Sequence, residues 1–187
     1  MKRAILPLML LFLILPAFSQ TDIDYGHKTL VKVLRKAEIQ DLKTLKEMVL
    51  SGSTSSIPPI NGKYFEIETE NTRHYKYLYV GRVNSCRAGG CSISNNLSKD
   101  LSSEYFDYFM LFDKSLAVQY IKVFNYQATH GQEITARGWL KQFIGFDGNK
   151  EMTVGKNVDA ISGATISVNG ITDDISYKTE LLRELTR

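Results

Sequence analysis

Apolar and polar positions change their period several times along this chain. An uncharged apolar run covers residues 4–18. Over residues 28–50 the apolar side chains recur at helical spacing. Leu30, Val33, Leu34 and Ala37 form one set, and Leu42, Leu45 and Val49 a second, with Lys, Arg and Glu between them. That spacing predicts one or two amphipathic helices. Residues 51–59 are rich in Ser, Gly and Pro and read as a linker or surface loop. Alternation with a period of two follows. Phe65, Ile67 and Thr69 alternate with Tyr64, Glu66 and Glu68; past a turn at residues 70–73, Tyr75, Tyr77 and Tyr79 alternate with Lys76, Leu78 and Val80. This predicts a hairpin. A second strand pair is expected at residues 105–112 and 117–126, joined through Asp113, Lys114 and Ser115. Residues 137–144 read as a short helix bearing Trp139, Leu140 and Phe143. A last helix runs from about residue 167 to 185, with Ile171, Ile175, Leu182 and Leu185 on one face and Ser167 as its cap. Helices before and after a run of strands predict an α+β fold, an antiparallel twisted sheet flanked by helices rather than a doubly wound one.

The opening run has the form of a secretory leader. Lys2 and Arg3 precede it, and Ala17-Phe18-Ser19 closes it with a small-x-small pattern. Its 15 residues, Pro7 and Pro16 included, fall short of the roughly 20 that span a bilayer as a helix. We therefore expect a signal peptide at residues 1–19, a helical segment and linker at 20–60, and a main domain at 61–187. Export to the periplasm or the extracellular space follows from that reading, with membrane association if the leader is retained.

Removing residues 1–19 leaves 168 of the 187 and lowers the net charge from +3 to +1, because Lys2 and Arg3 leave. A balance so near neutral argues against a nucleic-acid partner, which needs a concentrated basic face. His27, His74 and His130 are scattered and do not form a zinc set with two cysteines. Cys86 and Cys91 form a C-x4-C loop with Arg87, Gly89 and Gly90 inside it. Two readings of the pair stand. One is a local disulfide, the default in an oxidising compartment, with a chain-entropy value of about 2 kcal/mol. The other is a redox-active pair whose thiol pKa Arg87 lowers.

The residues that carry chemistry are Asp159-Ala160-Ile161-Ser162-Gly163-Ala164-Thr165, a D-x-x-S-G-A-T run just before the last helix. This run resembles the flavinylation motif of the FMN-binding domain family. That family includes the C subunit of the sodium-pumping NADH:quinone reductase, the G subunit of the Rnf complex and small exported flavoproteins. The resemblance implies covalent FMN, joined by a separate flavin transferase through a phosphoester to the last Thr of the motif, here Thr165. It extends more weakly to Tyr126-Gln127-Ala128-Thr129-His130-Gly131 and to Trp139-Leu140-Lys141-Gln142-Phe143-Ile144-Gly145. In all it covers roughly residues 77–185. Where the membrane-complex members carry a glycine-rich loop, this chain has only Gly131. The resemblance thus implies cofactor-binding roles for Asp159, Ser162, Gly163, Ala164, Thr165, Trp139 and Gly131.

The residue chemistry is compatible with that implication. A Thr hydroxyl is a poor nucleophile unaided, which calls for an external catalyst with a metal ion. Gly163 and Ala164 are small enough to let such a catalyst approach the backbone, and Asp159 would orient the loop or help bind the metal. A phosphate on Thr165 would lie at a helix N-terminus, where free N–H groups and the helix dipole favour negative charge. A phosphoester tether leaves the flavin ring unchanged and supplies retention outside the cytoplasm. These features point to an electron carrier that exchanges electrons with a membrane or extracytoplasmic redox partner. An exported binding or structural module without flavin, and a small flavin reductase, are the competing readings.

Overall fold

The computed structural model describes residues 22–39, 42–49, 60–68, 74–85 and 104–187. The leader, the linker at 51–59, the turn at 70–73, and Cys86 and Cys91 lie outside the described residues.

Five strands form one open antiparallel sheet in chain order: β1 (Leu45–Met48), β2 (Gly62–Ile67), β3 (Tyr77–Ser85), β4 (Glu104–Phe112) and β5 (Val118–Tyr126). Helix α1 (Lys28–Lys36) precedes the sheet. The short α2 (Arg137–Leu140), continued by a 3-10 turn over Lys141–Phe143, and the long α3 (Thr165–Leu185) follow it. The α+β architecture, the β2–β3 hairpin, the β4–β5 pair, the short helix and the C-terminal helix all match the hydrophobic pattern.

The expected helix over residues 28–50 needs correction. It ends at Lys36. Glu38 takes a left-handed φ of +65° and the Ile39 N–H returns to the Leu34 carbonyl at 3.0 Å, a Schellman-type stop. Leu45–Met48 then pair with β2, Leu45 opposite Ile67 and Met48 opposite Tyr64. The spacing of Leu42, Leu45 and Val49 fits a helix, but pairing with the free edge of β2 draws residues 45–48 into the sheet. The new edge is guarded by charge. Lys46 pairs with Glu68 at 3.4 Å and Glu47 with Lys63 at 2.8 Å; exposed pairs of this kind add little stability, but charges on an edge strand discourage further strand addition.

Alternation along the strands gives the sheet two apolar faces. One carries Tyr79, Val83, Phe106, Tyr108, Met110, Ile121 and Val123, packed beneath Val168, Ile171, Ile175 and Leu182 of α3 and beneath Leu140 and Phe143. The opposite face carries Ile67, Leu78, Val80, Phe109 and Leu111, covered by Leu30 and Leu34 of α1 and by Ile39. The result is three layers, with α1 on one side of the sheet and α3 with the 131–164 segment on the other. Burial on both faces places apolar side chains at successive positions, Leu78 to Val80 in β3 and Tyr108 to Phe112 in β4.

Two polar groups are built into these layers. On the α1 side Arg82 is 5% exposed and Asp107 fully buried. Arg82 donates through Nε and Nη2 to the two Asp107 oxygens at 2.6 and 3.0 Å, Asn125 adds a donor at 2.7 Å, and the guanidinium lies 3.7 Å from the Tyr105 ring centre. A buried pair is tolerable when the geometry is bidentate and the remaining lone pairs are filled. On the α3 side the Tyr108 hydroxyl donates to Asp174 at 2.6 Å and Lys178 lies 3.3 Å from the same carboxylate. Burial pushes the Asp174 carboxyl up, against the lowering pull of Lys178. Burial likewise raises the Tyr108 hydroxyl well above the usual phenol range.

Candidate functional site

The motif loop joins the core at its two ends and is exposed between them. Val158 is buried, and so is Ala164, while Asp159, Ala160, Ser162 and Gly163 face solvent. Thr165 is the first residue of α3 and is exposed. Gly163 has a φ of +79°, a conformation that favours glycine, and open space where a Cβ would stand. The expectation that both Gly163 and Ala164 leave the backbone open holds for Gly163 alone. Ala164 turns its methyl into the core and fixes the start of the helix.

The expectation that Ser167 caps the last helix is also corrected. The helix begins two residues earlier, and its N-cap position is Ala164, which offers no side-chain acceptor; the first turn holds no acidic residue. Among the described residues no side chain caps the leading N–H groups of this 21-residue helix. A phosphate on Thr165 would meet them and the positive end of the helix dipole. The donor chemistry thus fits an esterified phosphate. Beside Thr165, Ile166 is 48% exposed.

Ser167 instead ties the first turn of α3 to the sheet. Its hydroxyl is 3.0 Å from that of Tyr126 at the end of β5 and 3.4 Å from that of Ser85 at the end of β3. The Tyr126 hydroxyl also lies 2.5 Å from the His130 carbonyl, to which it donates, and its ring stacks on Phe106 with centroids 5.5 Å apart. Burial raises the Tyr126 hydroxyl above the usual phenol range, and the bond with Ser167 opposes that rise. Gly131 sits in the same contact. It is buried with a φ of +86°, and a Cβ there would stand 2.6 Å from Ser167 Oγ. The glycine lets the β5 end loop close onto the helix start.

The short helix closes the other side. The half-buried Trp139 donates from Nε1 to the Asp159 carbonyl at 2.9 Å. Gln142 accepts from the Asp159 N–H at 2.6 Å and donates to the Trp139 carbonyl at 2.9 Å. The structure thus links Trp139 to Asp159, and Gly131 to the helix that Thr165 begins. Ser162 is exposed in the same loop. Sequence reasoning passed over Gln142, Tyr126 and Ser85 as individual site residues. Their bonds run across 17, 41 and 82 positions and leave no local pattern to read.

The fold is thus an antiparallel sheet whose long helix starts at an exposed Thr, with no side-chain cap, beside a glycine loop. Residues 105–177 match the model of the FMN-binding domain. The match runs from β4 through α2 and the motif into α3; it begins later than the residue 77 expected from the resemblance. No curated protein matches the chain.

Proposed function

We propose that the protein is an exported electron carrier that holds FMN through a phosphoester to Thr165. One observation carries this reading. The Thr that ends the D-x-x-S-G-A-T run is the exposed first residue of an uncapped 21-residue helix, within the segment that matches the FMN-binding domain. Asp159, Ser162 and Gly163 form the exposed approach to it. Bound FMN supplies one- and two-electron chemistry at its ring. The chain itself contributes the ester oxygen, the helix-terminal N–H groups for the phosphate, and the Ile166 surface beside it.

A flavin transferase would load the protein, and a membrane or extracytoplasmic redox partner would exchange electrons with it. The competing module without flavin does not account for the match of residues 105–177 to the FMN-binding domain. Intact mass and peptide mapping of the exported protein test the proposal. The expected result is a gain of FMN less one water on the peptide containing Thr165, lost in Thr165→Ala with the melting temperature unchanged. Covalent flavin retained in Thr165→Ala would refute the attachment site. The same spectrum reads the cleavage expected after Ser19 and, from a deficit of two hydrogens, the state of Cys86 and Cys91.

A further inference from the structure

We propose that Gln142 and Trp139 are positioning residues for flavin attachment. They grip the backbone of Asp159 from both sides and hold the 159–165 loop in the conformation that a transferase accepts. The proposal rests on the reading that Thr165 receives the flavin.

The argument starts from the backbone polar groups of an exposed loop. Such groups are ordinarily satisfied by water, and nothing then fixes the loop in one shape. Here both backbone groups of Asp159 are taken by side chains. Its N–H donates to Gln142 Oε1 at 2.6 Å, and its carbonyl accepts from Trp139 Nε1 at 2.9 Å. The two gripping side chains are themselves joined, Gln142 Nε2 to the Trp139 carbonyl at 2.9 Å. The Trp139 ring is anchored edge-on against the fully buried Phe143, with centroids 5.3 Å apart and planes at 72°.

The grip falls immediately after Val158, buried in the core, and leaves the Asp159 side chain in solvent. At the other end the loop is set by the buried Ala164, whose N–H bonds the Ile161 carbonyl at 3.1 Å. The loop backbone is thus held at residues 158–159 and again at 164, on either side of the stretch that leads to Thr165. In the transfer step the Thr165 Oγ–P bond forms as a P–O bond of a flavin dinucleotide donor breaks. The departing nucleotide carries away the bonding electron pair, and the hydroxyl proton passes to solvent or to the transferase. Gln142 and Trp139 touch none of these atoms. Their contribution is to the population of loop conformers that can dock. Losing a competent population raises the apparent KM for this protein as substrate and leaves the rate at saturation unchanged.

The test uses Gln142→Met, which keeps side-chain length without either hydrogen bond; Gln142→Glu, which keeps the acceptor for the Asp159 N–H; and Trp139→Phe, which keeps a ring on Phe143 without the donor. Hydrogen exchange of the 158–164 peptide is measured in flavin-free protein. Transfer is measured with a purified flavin transferase, magnesium and flavin–adenine dinucleotide. In Gln142→Met we expect exchange about tenfold faster and a KM about tenfold higher at unchanged kcat, the size of two lost hydrogen bonds of ordinary net strength. Gln142→Glu and Trp139→Phe each lose one of the three bonds, so both should stay within about threefold of the parent.

Unchanged exchange in Gln142→Met would overturn the grip itself. Faster exchange with an unchanged KM, or a loss confined to kcat, would overturn the positioning role while leaving Thr165 as the attachment site. A parent protein that took no flavin at Thr165 under these conditions would overturn the attachment reading, and this proposal with it.

Discussion

At the scale of single residues, the arrangement depends on atoms that are absent as well as on those present. Gly131 takes a left-handed φ and leaves room for Ser167 Oγ, which a Cβ would approach to 2.6 Å. Gly131→Ala therefore combines backbone strain, about 1–2 kcal/mol for a residue with a side chain in that region, with a push on the buried Ser167 two residues from Thr165. The expected outcome is a lower melting temperature together with slower covalent flavin attachment. Ala at Gly163 meets the same backbone strain but no neighbouring atom, so it should cost stability without moving the helix start. Thermal unfolding and timed flavin incorporation on the two variants separate steric displacement from strain.

At the scale of elements, turns and pairings decide what periodicity leaves open. The β4–β5 turn is organised by Asp113, whose carboxylate accepts from the Ser115 N–H at 2.8 Å, the Ser115 hydroxyl at 2.6 Å, the Ala117 N–H at 3.1 Å and Gln119 at 2.7 Å. Partial burial pushes the Asp113 carboxyl up, but these donors outweigh it and hold the group below its ordinary value of 3.8. A lowered folded-state pKa means that this stabilisation is present above pH 3.8 and is lost as pH falls through the folded-state value. Asp113→Ala should cost about 1–2 kcal/mol at neutral pH, and the gap to the parent should narrow toward about pH 3. Urea unfolding at the two pH values measures both. The Asp-Lys-Ser turn was readable in the sequence because Asx turns have a local signature. The same holds for β2 to β5 and for α3, whose periods persist over long stretches. β1 was not readable: its four residues fit a helical spacing, and only pairing with β2 makes them a strand. The start of α3 was missed by two residues for a related reason. Ser167 looks like a cap in one dimension, and only its contacts with Tyr126 and Ser85 show that it belongs inside the first turn. The D-x-x-S-G-A-T run was legible because its chemistry is contiguous, whereas the Gln142–Trp139 grip is assembled from distant positions.

At the scale of the whole molecule, the sheet separates two tasks. The described residues of the candidate site lie on the α3 side or in the loops at its end, and α1 packs on the opposite face through Leu30 and Leu34. If the α1 layer serves only to bury that face, weakening it should alter stability and nothing else. Leu34 is 1% exposed and packs in a cluster with Leu78, Val80, Phe109 and Leu111. Truncating a leucine so placed costs about 2–5 kcal/mol, and each kcal/mol lowers the melting temperature of a chain this size by about 2–4 °C. Leu34→Ala should therefore melt at least several degrees lower, while its flavin attachment rate and midpoint potential, measured on the folded protein, stay at the parent values. A shifted potential would instead show that the α1 face is coupled through the sheet to the flavin environment. The fully buried β4 side chains are the route for such coupling, because Phe109 and Leu111 face α1 while their neighbours Tyr108 and Met110 face α3.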